Sequence, residues 1–353
     1  MQTVLQDLGA RIADAHASGT PLRLRGAGSK DFYGERCEGE LLSLRAYTGV
    51  IDYEPSELVI SARCGTPLSS IETLLAQHGQ YLPFEPPAFG ADPTIGGVIA
   101  AGLAGPQRAR VGAVRDFVLG AVLLGIDGRA LHFGGKVIKN VAGFDVSRLL
   151  CGSLGILGPI MEVSLKVLPL PRAQQTLCFE MTAAEALQSF HRWAGQPLPI
   201  SACAWLAGRS WVKLSGAQSA LQVARERLGG ELLDPAAASQ WWRSVRDHTQ
   251  AFFEQARTLW RLSLPATAPS LELAGSALIE WGGALRWYAE DVPTARMREL
   301  ASAAGGTALH WRGGVAGERF HPLAPSVLGL HRRLKEHFDP RHIFNRGRLI
   351  ADL

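Results

Sequence analysis

The spacing of apolar positions divides the chain into alternating elements. Val4, Leu5, Leu8 and Ile12 recur at helical spacing, and Gly19 with Pro21 stops that helix. Leu22-Arg23-Leu24-Arg25 alternates as a strand and runs into a glycine loop. Leu41 to Leu44, Val50 to Tyr53 and Leu58 to Arg63 read as strands, the last two flanking a Glu-Pro-Ser turn. Thr66 and Pro67 open a helix carrying Ile71, Leu74 and Leu75, which Gly79 ends. After a Pro/Gly-rich stretch, the apolar runs Phe117 to Ile126 and Ile160 to Leu168 follow.

Beyond Pro169-Leu170-Pro171 the pattern changes. Leu177 to Met181 predicts a strand, and Thr182-Ala183-Ala184-Glu185 is a capping box heading a helix with Leu187, Phe190 and Trp193. Strands are expected at Ile200 to Leu206, Trp211 to Leu214, Leu259 to Leu264 and Leu278 to Trp281. Helices are expected at Ala217 to Leu228, Trp241 to Gln255, Thr294 to Ala303 and Ala324 to Phe338. The alternation suits a small antiparallel sheet covered by helices, with no internal repeat.

Composition sharpens this division. A chain of 353 residues suggests two domains. Glycine concentrates before Pro171, where backbone can approach a ligand closely, while all nine tryptophans lie at or after Trp193 and suit bulky packing or an aromatic docking surface. A net charge of +4 is too weak for a nucleic-acid footprint. The five cysteines are widely spaced without a CxxC, which argues against a disulfide framework, structural zinc or an iron–sulfur centre. Asp7, Arg11 and Asp14 interrupt any signal-like apolar region, and the apolar stretch near Leu149 to Leu165 is broken by glycines, Pro159 and Glu162. The expectation is a soluble cytoplasmic protein without membrane insertion of its own.

The candidate chemistry lies in the glycine loops. Arg25-Gly26-Ala27-Gly28-Ser29-Lys30 follows a strand, but Asp31 stands where a dinucleotide fingerprint needs its third glycine, and Gly28-Ser29-Lys30 has the wrong order for a Walker A loop. What remains is either a solvent-exposed turn or an anion nest of backbone N–H groups with Arg25 and Lys30 adding charge. Pro86-Pro87, Thr94-Ile95-Gly96-Gly97 with Gly102, and the cluster Gly143, Gly152, Gly155 and Gly158 add two more small-residue regions. Three such clusters in one half favour backbone lying against a flat ligand or a diphosphate.

Arg25-Gly26-Ala27-Gly28, Thr94-Ile95-Gly96-Gly97, Lys139-Asn140-Val141-Ala142-Gly143-Phe144-Asp145 and Gly152-Ser153-Leu154-Gly155 occur in the order seen in flavoproteins of the vanillyl-alcohol-oxidase or PCMH type. The tail from His337 to Arg348 resembles the closing motif of the D-lactate and glycolate oxidase branch, with Arg346 in place of the usual proline. Overall the chain is similar to the smaller FAD-binding subunits of bacterial glycolate oxidases.

The resemblance implies an α+β fold. A two-subdomain FAD-binding domain would span residues 1–170 and a ferredoxin-like antiparallel cap 171–322, with a tail, 323–353, returning to the flavin. It implies FAD. Neither the Arg25 to Gly34 loop nor the Phe84 to Asp116 stretch contains the histidine or cysteine that covalent members use, so the flavin is expected to be non-covalent. Arg25, Gly26, Ala27, Gly28, Ser29 and Lys30, Pro86 and Pro87, and Thr94, Ile95, Gly96 and Gly97 would meet pyrophosphate and flavin, with Gly102 and Asn140 among the further contacts. Gly155, Gly158 and Ile160 would lie by the adenosine, and Asn345 near the isoalloxazine.

Oxidation of a 2-hydroxy acid also needs a cation for the carboxylate and a base for the hydroxyl proton. Arg261 is the carboxylate candidate and Trp260 a candidate wall of the same pocket, against the alternative of ordinary strand packing. Among the ten histidines no pair is spaced i, i+2 or i, i+4, so a metal is not expected, and His321 is either a base or a surface group. Three functions stay open: a subunit of a glycolate-type dehydrogenase complex, a flavin-bearing electron-transfer or assembly subunit whose chemistry sits in a larger partner, and a standalone oxidase. The expected partners are a larger FAD-binding homologue and an iron–sulfur subunit.

Overall fold

The computed structural model describes every residue except 91, 136–144, 315–318 and 352. The first apolar stripe forms helix α1 (Gln2–Ser18), which buries Leu8, Ile12 and Ala15. Gly19, at φ 73°, closes it in a left-handed cap that a side chain would strain. Strands β1 (Leu22–Arg25) and β2 (Glu40–Ser43) then pair in parallel.

Next come β3 (Val50–Glu54), β4 (Val59–Arg63), α2 (Leu68–Gln77) and a short β5 (Gln80–Tyr81). Helix α3 (Ile95–Ala101), the single turn α4 (Arg108–Val111), β6 (Val118–Leu124), β7 (Ala130–Gly134), the single turn α5 (Val146–Leu149), β8 (Ile160–Lys166) and β9 (Leu168–Pro169) complete this half. β3, β4, β8, β6 and β7, in that order, make a five-stranded antiparallel sheet, and β5 pairs with β9. One face of the sheet packs on Ile71 and Leu75 of α2 and on Ile95, Val98 and Ile99 of α3, with Phe84 fully buried between. α3 departs from the loop expected around Thr94-Ile95-Gly96-Gly97: the Thr94 hydroxyl accepts from the Gly97 amide and caps a helix whose apolar residues face the core.

The second half starts with β10 (Ala173–Glu180), α6 (Ala183–Ala194), β11 (Ile200–Leu206), β12 (Arg209–Gly216), α7 (Gln218–Leu228) and β13 (Glu231–Leu232). The Thr182–Glu185 capping box forms as expected. Helices α8 (Pro235–Arg246) and α9 (Ala251–Gln255) lead into β14 (Leu259–Ser263), β15 (Ser276–Glu280), β16 (Leu285–Ala289), α10 (Thr294–Ala303) and β17 (Thr307–Arg312). The sheet has eight antiparallel strands in the order β13-β10-β12-β11-β15-β16-β14-β17, larger than the small sheet expected. Its two halves share one plan. β10 to β13 adopt the ferredoxin-like order 4-1-3-2, β14 to β17 adopt it again, and β11 joins β15 at the seam.

The single helix expected over Trp241 to Gln255 is two. The break carries His248 at φ 56°, and the Asp247 carboxylate beside it is held by the Arg246 guanidinium and the Ala88 amide. None of the nine tryptophans is exposed: six are buried in the cores of this half, and Trp205, Trp211 and Trp241 are half-buried. Helix α11 (Pro325–Phe338) carries the chain back to the first half, where Phe344 bridges Leu22 in parallel beside β1.

Candidate functional site

A cavity of about 490 Å³ opens where the loop after β1, the start of α3, the segment 154–160 and the returning tail converge. It brings together Arg25, Gly26, Ala27, Gly28, Ser29, Lys30, Thr94, Gly96, Gly97, Gly155, Gly158, Ile160 and Asn345 from four separate stretches of sequence. Asn140, with residues 139–144, lies outside the described residues.

The loop after β1 supplies the donors. The backbone amides of Gly26, Ala27, Gly28, Ser29 and Lys30 give no hydrogen bond to another described residue, whereas Asp31 and Tyr33 donate to the carbonyls of Gly28 and Lys30. Five consecutive unpartnered amides bordering a cavity form an anion nest, and a dinucleotide's diphosphate matches that donor set. The amides at the start of α3 do not contribute, because Ile95, Gly96 and Gly97 donate to the Thr66 carbonyl, the Cys64 carbonyl and the Thr94 hydroxyl. A Cβ on Gly26 would strike Thr94 Oγ1, and one on Gly96 would lie 2.6 Å from the Cβ of Cys64. These glycines are therefore required by protein packing before any ligand is considered.

Asn345 closes the wall from the tail. Its Oδ1 accepts from the Leu24 amide at 2.7 Å and its Nδ2 donates to the Leu154 carbonyl at 2.6 Å, while its backbone N–H donates to the Leu22 carbonyl. Gly155, at φ 76°, lies under this side chain, and a Cβ there would come within 2.8 Å of Nδ2. Arg348 donates to the carbonyls of Lys30 and Asp31 at 3.0 and 2.9 Å, pinning the nest loop to the tail. Burial pulls the Lys30 ammonium down to about 8, against the opposing pull of Asp247, and its Nζ sits 5.5 Å from the Phe89 ring centre.

Other expected site residues lie elsewhere. Ile95 is fully buried in the core, Pro87 borders a void of about 20 Å³, Gly102 borders a separate chamber, and Pro86 lines none of these spaces. Trp260 and Arg261 do not share a pocket, because neighbours along a strand point to opposite faces. Trp260 is fully buried and stacks on His310 at 3.9 Å between ring centres, so it is a core residue. Arg261 faces the first half, lining both the small void and the chamber, with its guanidinium 5.3 and 5.7 Å from the ring centres of Trp281 and Trp287. His321 sits apart from the cavity, where its Nδ1 accepts from the Ala308 amide.

Sequence reasoning missed Cys37, Cys64, Arg319 and Arg348, all of which line the cavity. Cys64, the residue after β4, lies directly opposite Gly96, and only the three-dimensional fold juxtaposes them. Its thiol is pushed up to about 12 by burial. On the far side of Arg261, burial pushes the Glu280 carboxyl up to about 7, opposed by a 2.8 Å hydrogen bond from Trp287 Nε1 and by the Arg261 charge. His248 is driven down to about 3, chiefly by burial and then by Arg261 and Arg312.

The sheets, nest and returning tail define the class: an FAD-binding flavoprotein fold, and residues 3–134 match the FAD binding domain family. More narrowly, the chain belongs to the family of glycolate oxidase GlcE subunits. It is 44% identical to glycolate oxidase subunit GlcE of Escherichia coli (strain K12) over 352 residues, covering 100% of this chain and 98% of that protein. It is 24% identical to the D-lactate dehydrogenase of Archaeoglobus fulgidus over 99% of this chain and 90% of that one. Glycolate oxidase subunit GlcD of Bacillus subtilis (strain 168) is 30% identical over 44% of this chain and 34% of its own length. Among solved structures, an alkyldihydroxyacetonephosphate synthase shares the fold with a TM-score of 0.66 at 15% identity, over 96% of this chain and 74% of that one.

Proposed function

We propose that this chain is the FAD-carrying subunit of a complex that oxidises a small 2-hydroxy acid, glycolate to glyoxylate, with D-lactate as the alternative substrate. The observation that carries this reading is the row of free amides from Gly26 to Lys30 beside a cavity of about 490 Å³, in a chain 44% identical to a glycolate oxidase subunit. Bound FAD supplies the two-electron acceptor. The amides of residues 26–30 hold the diphosphate oxygens, and the Lys30 ammonium adds charge. Asn345 and Arg348 keep the nest loop and the segment around Gly155 in place. Arg261 offers its N–H fork to the substrate carboxylate, and the rings of Trp281 and Trp287 exclude water around it.

Non-covalent attachment is supported by the loops at the cavity, since neither residues 25–34 nor residues 84–116 contain a histidine or a cysteine. It is supported also by Cys64, whose thiol burial pushes up to about 12. The division into 1–170, 171–322 and 323–353 is supported by the sheets, since β9 ends at Pro169 and β10 opens a different sheet at Ala173. The widely spaced cysteines support a separate iron–sulfur subunit, and the similarity to the GlcD protein supports a larger homologous partner. Among the described residues no helix is long and apolar enough to cross a membrane, which fits membrane association only through such partners.

A second reading keeps the flavin here and moves the substrate chemistry to the larger subunit. It is favoured by the dispersed histidines and by His248, which burial holds neutral at physiological pH. The absorption spectrum of the purified chain, recorded anaerobically with and without glycolate, separates the two. Bleaching of the flavin band by glycolate alone supports the first reading. A flavin band that bleaches only after the larger subunit is added supports the second. Protein that neither retains nor takes up FAD overturns both.

A further inference from the structure

The chamber beside Arg261 has a charge balance that the reading above does not use. It measures about 380 Å³ and lies between the 101–115 segment and the eight-stranded sheet. Arg108 and Arg115 reach it from the first half and Arg261 from β14. Among the described residues no acid forms an ion pair with any of the three. Asp116, which acts on Arg108 through space, is engaged in its own turn, where its carboxylate accepts from the Ala113 amide at 2.7 Å. Glu280 acts on Arg261 from the small void on the other side and is tied to Trp287. Tyr33 also lines the chamber and acts on Arg261 through space.

Two of the three guanidinium groups, those of Arg108 and Arg261, are held against rings. The Trp281 ring has Arg108 4.4 Å and Arg261 5.3 Å from its centre. Trp281 is itself fixed by a 3.0 Å hydrogen bond from Nε1 to the Gly105 carbonyl and has the left-handed φ of 52°. A ring positions a cation without consuming its N–H donors or cancelling its charge. Burial chiefly, and then the nearby charges of Arg261 and Arg115, make it harder for Arg108 to stay protonated. A cluster of this kind is relieved by a ligand carrying more than one negative charge, since a monocarboxylate matches a single guanidinium fork.

We propose that this chamber is a binding site for a compact dianion, a small dicarboxylate or inorganic phosphate, held by Arg108, Arg115 and Arg261. The site extends the placement of Arg261 given above, and a dianion bound there competes with a monocarboxylate substrate for that residue. Arg115 is exposed and Arg108 and Arg261 are half-buried, so the ligand enters from solvent past Arg115 toward Arg261.

Calorimetric titration of the purified, flavin-loaded protein at low salt tests this, with malonate, inorganic phosphate and acetate as separate probes. The expected result is binding of at least one dianion, at least tenfold tighter than acetate and weakened at least tenfold by Arg108→Gln and by Arg115→Gln. Tighter malonate assigns a dicarboxylate site, and tighter phosphate a phosphate site. Absence of binding by both dianions, or binding that both variants leave unchanged, overturns the proposal. Flavin content, read from the visible spectrum of the same samples, reports separately on the flavin reading. Far-ultraviolet circular dichroism of each variant confirms that a lost titration is not lost folding.

Discussion

Lys335 and Asp339, one turn apart at the end of α11, form an ion pair in which both side chains are fully buried, with Nζ 2.7 Å from Oδ2. The ammonium also donates to the carbonyls of Ile156 and Phe344, and the carboxylate accepts from the amides of Ile343 and Phe344. One pair thus ties α11, the cavity segment and the returning tail together. Removing either partner leaves an uncompensated charge in the interior. Lys335→Ala or Asp339→Ala is expected to cost about 3–5 kcal/mol, measured by urea unfolding. Lys335→Met combined with Asp339→Leu is expected to lose less than the sum of the single changes.

The glycines of the cavity separate into different classes of effect. Gly155→Ala combines a positive φ with a Cβ 2.8 Å from Asn345 Nδ2, so it should push Asn345 off the wall. The expected outcome is a lowered flavin-to-protein ratio with a loss of about 1–3 kcal/mol. Gly96→Ala meets Cys64 at its Cβ, 2.6 Å away, and should lower the melting temperature even of flavin-free protein.

Glu280 makes stability depend on pH in a definite direction. Its carboxyl titrates near 7 in the folded protein against an ordinary value of 4.5. Between those values the folded state keeps a proton that the unfolded state has released, so stability falls as pH rises through that window. The slope is at most about 1.4 kcal/mol per pH unit. Urea midpoints at pH 5 and pH 7.5 should show this loss in the wild type and a reduced one in Glu280→Gln.

Lys30 gives the nest a different pH signature. With its ammonium titrating near 8, an anionic cofactor loses an attractive charge as pH rises through that value. The dissociation constant for FAD is expected to rise between pH 7 and pH 9.5. Lys30→Met should weaken binding at pH 7 and flatten the dependence. Equal pH profiles for the two proteins would show that Lys30 does not face the cofactor.

Elements with strong local signals were legible in the chain, as α1, α10 and the capped α6 illustrate. Their periodicity and capping chemistry act within a few residues, so no tertiary knowledge is needed. Helix α3 was hidden because Gly96 and Gly97 resemble loop residues, while packing against Cys64 is what demands the first of them. The break between α8 and α9 was hidden because it depends on Ala88, 159 positions away from Asp247. β16 and β17 went unread, and with them the second 4-1-3-2 strand order, which leaves no visible repeat in sequence. At the site, the nest loop and Asn345 could be placed from motifs. Cys64, Arg319 and Arg348 could not, because only long-range contacts carry them to the cavity.

The strand-like return of Phe344 beside Leu22 also has a consequence in time. The nest loop, residues 26–30, is made well before its wall, which is missing until residues 343 to 348 have emerged. Domains generally fold in the order they leave the ribosome, yet here Leu24 and Asn345, 321 positions apart, share one wall. The first half therefore waits, through the synthesis of an entire eight-stranded sheet, with an unfinished edge at β1. A chain cut short before Asn345 is expected to keep the nest loop but hold little flavin, because the hydrogen bonds that tie Leu24 and Leu154 into one wall are missing.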